Sequence, residues 1–429
     1  MAATLSNFTA GKAPAFRLAD KSALCEPGAL SDQYKHCITV DYTHKSNYNR
    51  AMRKTFRYCL YPTKAQARHL ARTLEECRWT YNQLLEQRKI YYEEAGISVS
   101  MYAQHQYLPF LKDERPSLRE VHSQVLQNVS ERIELAFQAF FRRVQNGETP
   151  GYPRFRGAGR YNSLTYPQYG NGARLDGDRL FLSKIGHVAV VLHRPLAGRP
   201  KTVTVLRSGT GKWYVNVACE WDPTPLPNVE PVVGVDVGLA SFATLSTGEQ
   251  IANPRFFRKE ERALARVQRA HSKLTPGSPA RRKHRKTVAR VHERVRWRRE
   301  NFAHQHSRRI VNQHQVIAVE DLAVNQMLHN HCLAKSISDA AWTQFSGFLA
   351  YKAAWAGRQF VPVNPAYTSQ DCHACGHRQH MPLSERIFTC PGCGVSCDRD
   401  HNAALNILAR GLASIGSQSV VAPGFSRGE

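Results

Sequence analysis

The chain has 429 residues, enough for two or three domains with cores of their own, and its 42% hydrophobic and 22% charged residues fit a globular protein. A formal net charge of +25 and a pI near 9.8 favour a polyanionic partner, most often nucleic acid. Eleven cysteines, seven of them scattered outside two close pairs, exclude a disulfide framework and point to a reducing cytosol. No stretch is long and apolar enough to span a membrane, and the N-terminus lacks the basic flank and apolar run of a secretion signal.

Residues 1–51 are polar and aperiodic. They read as a disordered extension, or as sequence upstream of a start at Met52. Residues 56–61 read as a strand closed by Pro62. Leu70, Leu74, Cys77, Tyr81 and Leu84 then recur at the spacing of one helix face. Val121, Val125, Val129, Ile133, Phe137 and Phe140 predict a second helix over roughly 119–143. Both stripes read as helix-on-helix packing. A loop at 151–156 sets Arg154 and Arg156 beside aromatic rings, a combination suited to stacking and phosphate contact. Between 162 and 220 the pattern turns to β: residues 179–182, 187–193, 202–207 and 213–219, separated by Gly, Pro and Ser turns, predict a small barrel. The proline-rich segment 222–231 marks a domain boundary.

Past that boundary the chain reads as α/β. Residues 232–238 form a buried strand in a hairpin with 241–246. Residues 315–320 and 359–364 are further buried strands, 402–410 is a helix, and the tail from about 412 is loose. Two basic helices, split at 275–279, intervene. Residues 254–310 hold 19 Lys and Arg against 4 Asp and Glu, a net +15. Like charge this dense repels itself unless a polyanion screens it, and Arg281, Arg282 and Lys283 are candidate nucleic-acid contacts.

Two Cys-x-x-Cys knuckles, Cys372 with Cys375 and Cys390 with Cys393, can offer four thiolates to one tetrahedral zinc ion across a short hairpin. Three acids carry the remaining chemistry. Asp236 lies mid-strand, flanked on its own face by Gly234 and Gly238, a pattern that predicts open space around a carboxylate. Glu320 ends another strand, and Asp400 opens a helix, where the dipole favours an acid. Singly, each reads as an ion-pair partner, a strand end or an N-cap, with Asp398 an alternative cap. Together, in so basic a chain, they suit two Mg²⁺ ions with open positions for a phosphodiester, one activating water and one stabilising the leaving 3′-oxygen. Cys397 reads as an incidental thiol, and His373 and His377 as substitutes that four cysteines make unnecessary.

With Asp236 in Gly-Val-Asp-Val-Gly, Glu320 in Val-Glu-Asp-Leu and Asp400 in Asp-Arg-Asp-His-Asn-Ala-Ala-Leu-Asn-Ile, the chain resembles the TnpB (OrfB) family of bacterial insertion sequences, relatives of the type V CRISPR effectors. Residues 56–66, 78–82, 151–155, 336–342, 351–355 and 367–370 extend the likeness from about Met52 to Arg410. Residues 1–51 and Cys397 depart from it. The resemblance implies an RNA-guided DNA endonuclease that supports maintenance of its element. The implied fold is a β-barrel wedge domain (52–62 and 148–225) interrupted by a helical recognition lobe (63–147). A RuvC (RNase H-like) nuclease domain follows (232–369 and 397–411, with a basic helical hairpin at 254–312). It is interrupted by a zinc ribbon (370–396) and ends in a flexible tail (412–429).

The same resemblance implies Asp236, Glu320 and Asp400 as the catalytic, Mg²⁺-binding triad and Cys372, Cys375, Cys390 and Cys393 as Zn²⁺ ligands. Its partners would be a guide RNA from the element's own end, double-stranded target DNA read beside a short motif, and a separate transposase, in a prokaryotic cytoplasm at the nucleoid. Tyr102 and Gln127 are candidate motif readers, since polar side chains can read base edges. Three other readings stay open: a guided DNA-binding regulator that does not cut, a zinc-ribbon RNA-binding protein, and a transposase.

Overall fold

A computed structural model describes residues 52–382 and 384–419; the expectation for residues 1–51 lies outside them. β1 (Met52–Tyr61) leads directly into α1 (Lys64–Ala95). Thr63 caps that helix: its hydroxyl accepts from the Gln66 amide while the Gln66 side chain accepts from the Thr63 amide. Gly96 ends it at φ 67°, a left-handed turn that a side chain would resist. α2 (Met101–Glu114) and α3 (Ser123–Gln145) pack against each other, and α3 also packs on α1. The helix expected from 119 begins instead at Ser123, because Pro116–Glu120 forms a 3-10 turn and Val121 and His122 are extended.

β2 (Ser163–Tyr166), β3 (Ala173–Asp176), β4 (Arg179–Leu182), β5 (Gly186–Val191), β6 (Arg199–Arg207) and β7 (Trp213–Trp221) join β1 in an antiparallel sheet of order β2-β6-β7-β1-β5-β4-β3. Alternate residues, such as Phe56, Tyr58 and Leu60 of β1 or Val215 and Val217 of β7, enter one core with the apolar stripes of α1 and α3. The sheet is nearly closed: its edge strands β2 and β3 share that core but no ladder.

A second sheet has order β10-β9-β8-β11-β12. β8 (Val232–Val237), β11 (Val316–Glu320) and β12 (Gln359–Val363) run parallel, while β9 (Ser241–Leu245) and β10 (Gln250–Ala252) extend it antiparallel. Between β10 and β11 lie α4 (Phe256–Ser272) and α5 (Pro279–Gln313), the basic pair. Between β11 and β12 lie α6 (Val324–Met327), α7 (Ala334–Ala340) and α8 (Trp342–Ala356). A small hairpin of β13 (Ile387–Thr389) and β14 (Ser396–Asp398) precedes α9 (Arg399–Ser419). The helix expected over 402–410 is therefore longer at both ends, and 412–419 is helical rather than loose. Among the described residues no helix is long and apolar enough to cross a membrane.

Side chains of the first sheet reach helices of the second sheet's lobe. Thr210 and Lys212, in the β6–β7 turn, donate to the buried Glu293 of α5 at 3.1 and 3.2 Å. Lys54 of β1 lies 3.9 Å from the Trp221 ring and 5.1 Å from the Trp355 ring of α8. The proline-rich segment is pinned to the second sheet's lobe: Arg358 donates to the Pro227 carbonyl, and the Gln315 amide to the Pro231 carbonyl, each at 2.7 Å.

Candidate active site and cysteine module

Strand register brings two of the three acids together. Gly234 of β8 stands beside Ala318 of β11, and Val235 beside Val319. Asp236 and Glu320 therefore follow as neighbours at the carboxyl ends of parallel strands, on one face of the sheet. α9 packs on β8 and β11 over that face, and its first turn carries the third acid, Asp400. A Cβ on Gly234 would meet the Ala404 carbonyl oxygen at 2.1 Å and the Leu408 nitrogen at 2.7 Å. Gly234 thus leaves no open space beside Asp236, contrary to the sequence expectation; it admits the backbone of α9. A Cβ on Gly238 would stand 3.1 Å from the Ser241 carbonyl oxygen and 4.0 Å from Asp400 Oδ2, so this glycine too serves a close backbone approach, at the β8–β9 turn, and the expected open space is not there. Asp398 is the cap: its Oδ1 accepts from the amides of Asp400 and His401 at 2.9 and 3.1 Å, which leaves the Asp400 carboxylate free of that task.

Burial, then the charges of Glu320 and Asp400, push the Asp236 carboxyl well above the usual carboxylate range. Burial also raises Glu320, against a hydrogen bond from Thr368, and raises Asp400 with help from Asp398. Among the described residues no hydrogen-bond donor reaches the Asp236 carboxylate. Glu320 has one, the Thr368 hydroxyl, at 2.6 Å from Oε1. Arg386, from the cysteine module, lies 3.8 Å from Asp400 Oδ1. Three carboxyls displaced in the same direction make a site short of positive charge.

The cysteines form a compact group. Sγ atoms of Cys372 and Cys393 are 3.7 Å apart, those of Cys375 and Cys390 3.6 Å apart, and all four lie within 4.8 Å of one another. Four thiolates bonded at about 2.3 Å to a tetrahedral ion would be separated by roughly 3.8 Å. Burial alone would raise the Cys390 thiol, but the amides of Cys393 and Gly392 bring it down to about 7. Among the described residues this is the one such group; the three acids, which repel one another, do not draw so close. His373 is committed elsewhere: its amide and Nδ1 lie 3.0 and 2.9 Å from Asn402 Oδ1. His377 lends its carbonyl to the Cys372 amide, and Cys397 packs beside Cys372 and Phe388 in the module's small core.

The other candidates are scattered along the basic surface. Arg282 and Lys283 are exposed, whereas Arg281 donates to the Leu274 carbonyl at 2.7 Å and braces the α4–α5 turn. Arg154 is exposed; Arg156 lies 5.3 Å from the Tyr81 ring, and its backbone is clamped by Asn82 and Arg78. Tyr102 and Gln127 are exposed on adjoining helices, bridged where His105 reaches the Gln127 carbonyl at 3.2 Å. Sequence reasoning missed Thr368, Arg386, Asn402 and Asn406. The spacing of the two asparagines, four apart on a helix after Asp400, was the available signal.

Three family models match the chain: a Cas12f1-like TNB domain over residues 342–407, an OrfB (IS605) domain described as "Probable transposase" over 215–331, and a helix-turn-helix domain over 52–96. The last covers β1 and the single long helix α1. A Streptomyces pristinaespiralis protein, provisionally named an RNA-guided DNA endonuclease, is 38% identical over 85% of this chain and 90% of its own length. InsQ of Escherichia coli K12, named in the same provisional way, is 31% identical over 86% of this chain and 95% of its own length. The fold is similar to a Cas12f1 solved by cryo-EM in complex with guide RNA and target DNA, with a TM-score of 0.52 over 79% of this chain and 82% of that one, at 15% identity. Matched almost end to end by such relatives, the chain belongs to the TnpB (OrfB) family, kin to the type V CRISPR effectors.

Proposed function

We propose that the protein is an RNA-guided DNA endonuclease of an insertion sequence, which hydrolyses target DNA beside a short motif. Asp236, Glu320 and Asp400 are its catalytic acids in this reading. The observation that carries it is the convergence of three half-buried carboxyls at the ends of β8 and β11 and the start of α9, all raised above their ordinary pKa. Such a cluster is costly to bury unless cations offset it.

The three acids would hold Mg²⁺, two ions when the scissile phosphate is present. Bound Mg²⁺ polarises the phosphoryl group and makes the attacking water more acidic. The chain's own residues set the geometry: Gly234 brings α9 onto the sheet, Asp398 keeps the Asp400 carboxylate clear of the helix end, and Gly238 lets the β8–β9 turn close tightly beside Asp400. The four cysteines would hold zinc, which their sulfur spacing fits. The five-stranded sheet with α9 is then the RuvC-type nuclease domain, interrupted by a zinc ribbon. The seven-stranded sheet is the wedge domain, and α1 to α3 form the recognition lobe.

Guide RNA and target DNA are the polyanions that the α4–α5 pair would meet. All four acids of that segment, Glu260, Glu261, Glu293 and Glu300, are already engaged in ion pairs, so most of its cations have no acidic partner among the described residues. Strand transfer would fall to a separate transposase. The description of the matched OrfB domain keeps a transposase as the second reading. One experiment separates them. The chain is co-expressed with RNA from its element's end, and the purified complex is offered a plasmid library with randomised motif bases and Mg²⁺. Cutting that needs the guide, one motif and Asp236 is expected. Guide-dependent binding without cutting would favour the non-cutting regulator, and strand joining would favour the transposase.

A further inference from the structure

Residues 364–373, which join β12 to the first cysteine knuckle, are gripped by one face of α9. Asn402, Asn406 and Arg410 recur every four residues on that helix, and each reaches into this segment. The Asn402 amide donates to the Asp371 carbonyl at 2.8 Å, and its Oδ1 holds His373. The Asn406 amide donates to the carbonyls of Thr368 and Asp371 at 2.8 and 2.6 Å, so both of its protons are used. Arg410 donates to the Asn364 and Ala366 carbonyls and to Asp371 Oδ2. Asn402 and Asn406 are buried.

The grip aims one side chain. Tyr367 sits at φ 64°, a conformation that a tyrosine holds only under constraint. The next residue, Thr368, is 4% exposed, and its hydroxyl lies 2.6 Å from Glu320 Oε1 and 3.1 Å from the Pro365 carbonyl. A threonine hydroxyl has a single proton. The carboxylate is both nearer and the stronger acceptor, so the proton goes to Glu320. Oε2 is then the Glu320 oxygen without a donor among the described residues, and the one left to take a cation.

We infer that Thr368, locked by Asn406, is the positioning residue for Glu320, and that this link ties the first cysteine knuckle to the acid cluster. The inference rests on the reading of Asp236, Glu320 and Asp400 as metal-binding acids. Outer-shell partners of ligating groups commonly change metal affinity by 10- to 100-fold. The test uses the purified protein–guide complex with Thr368→Val, Thr368→Ala, Thr368→Ser and Asp236→Ala. Mn²⁺ binding is followed by electron paramagnetic resonance, and cleavage is followed against Mg²⁺ concentration.

Thr368→Val is expected to weaken Mn²⁺ binding about tenfold and to raise the Mg²⁺ needed for half-maximal cutting by the same factor. Melting temperature and binding of guide and target should hold. Thr368→Ser should recover most of the loss. Thr368→Ala, which needs no new volume, repeats the comparison if the valine variant melts early. Wild-type Mn²⁺ binding and Mg²⁺ dependence in both the valine and the alanine variants would overturn the inference. If Asp236→Ala also binds Mn²⁺ and cuts like wild type, the metal-binding reading of the acids is what has failed.

Discussion

A Cβ placed on Gly234 would lie 2.1 Å from the carbonyl oxygen of Ala404, so β8 and α9 touch backbone to backbone directly beneath Asp236 and Asp400. Backbone cannot swing aside as a side chain does. Gly234→Ala should cost about 1–3 kcal/mol or more of stability by overpacking. It should also displace Asp400 from Asp236, with cleavage falling more than stability alone explains. Denaturant melts alongside single-turnover cutting at saturating guide test this. A variant that is stable and fully active would contradict it.

The acid cluster should trade stability for function. Without divalent cations, Asp236→Asn removes a charge that burial and two neighbouring carboxyls disfavour. The variant should melt a few degrees above wild type in EDTA. Mg²⁺ should raise the melting temperature of wild type and leave the variant nearly unchanged. Calorimetry with and without Mg²⁺ reads both effects.

The cysteine module should carry one zinc per chain by elemental mass spectrometry. Cys393→Ser, at an exposed cysteine of the group, should lower that stoichiometry and the melting temperature together. Structural zinc supplies on the order of 10 kcal/mol to small sites of this kind. Full zinc loss with an unchanged melting profile would count against a structural role.

Lys352 offers a pH test away from the acids. It is buried in α8 and donates to the His304 carbonyl at 2.8 Å and to Ser307 Oγ at 2.7 Å, and burial, with Arg308 nearby, lowers it to about 8 from an ordinary 10.5. Below pH 8 both folded and unfolded chains carry the charge, and the folded state bears the full burial cost. Between 8 and 10.5 the unfolded chain binds more protons, so this residue's contribution to stability rises with pH. Lys352→Met should therefore melt at or above wild type at pH 7, and its advantage should shrink by pH 10. Urea melts at the two pH values check the sign.

Arg282 and Lys283 should act on nucleic acid and not on folding. Both are exposed, with no acidic partner among the described residues. Replacing each by Ala should change stability by less than about 0.5 kcal/mol. Each replacement should also lower the salt slope of guide-RNA binding by roughly one ion. An unchanged slope in the double variant would remove this pair from the interface.

The second sheet was legible because β8 and β11 are covered on both faces and read as nearly unbroken apolar runs; β12, at the sheet edge with Gln359 and Pro362 exposed, is legible from its apolar composition. Alternation then put Asp236 and its glycines on one face. Periodicity says which residues share a face, not what packs there, so the space it predicts at Gly234 is filled by the backbone of α9. α8 escaped because it has no polar side to define a period: Phe348, Tyr351 and Trp355, off its buried face, are aromatic as well, and they meet His304, each other and Lys54. α2 carries Pro109 inside it, a residue that normally argues against a helix. The clamp of Asn402 and Asn406 on residues 364–373 joins side chains to carbonyls, and a carbonyl has no residue-type signature.

β14 ends at Asp398 and α9 begins at Arg399, with no spacer between the cysteine hairpin and the helix that bears Asp400. One residue inserted between Asp398 and Asp400 would turn that acid by about 100° around the helix axis. The junction thus fixes the phase of Asp400 on α9. A metal-free replacement for the hairpin, or a graft from a relative, has to deliver the chain to Asp398 in the same phase, whatever its length or sequence elsewhere.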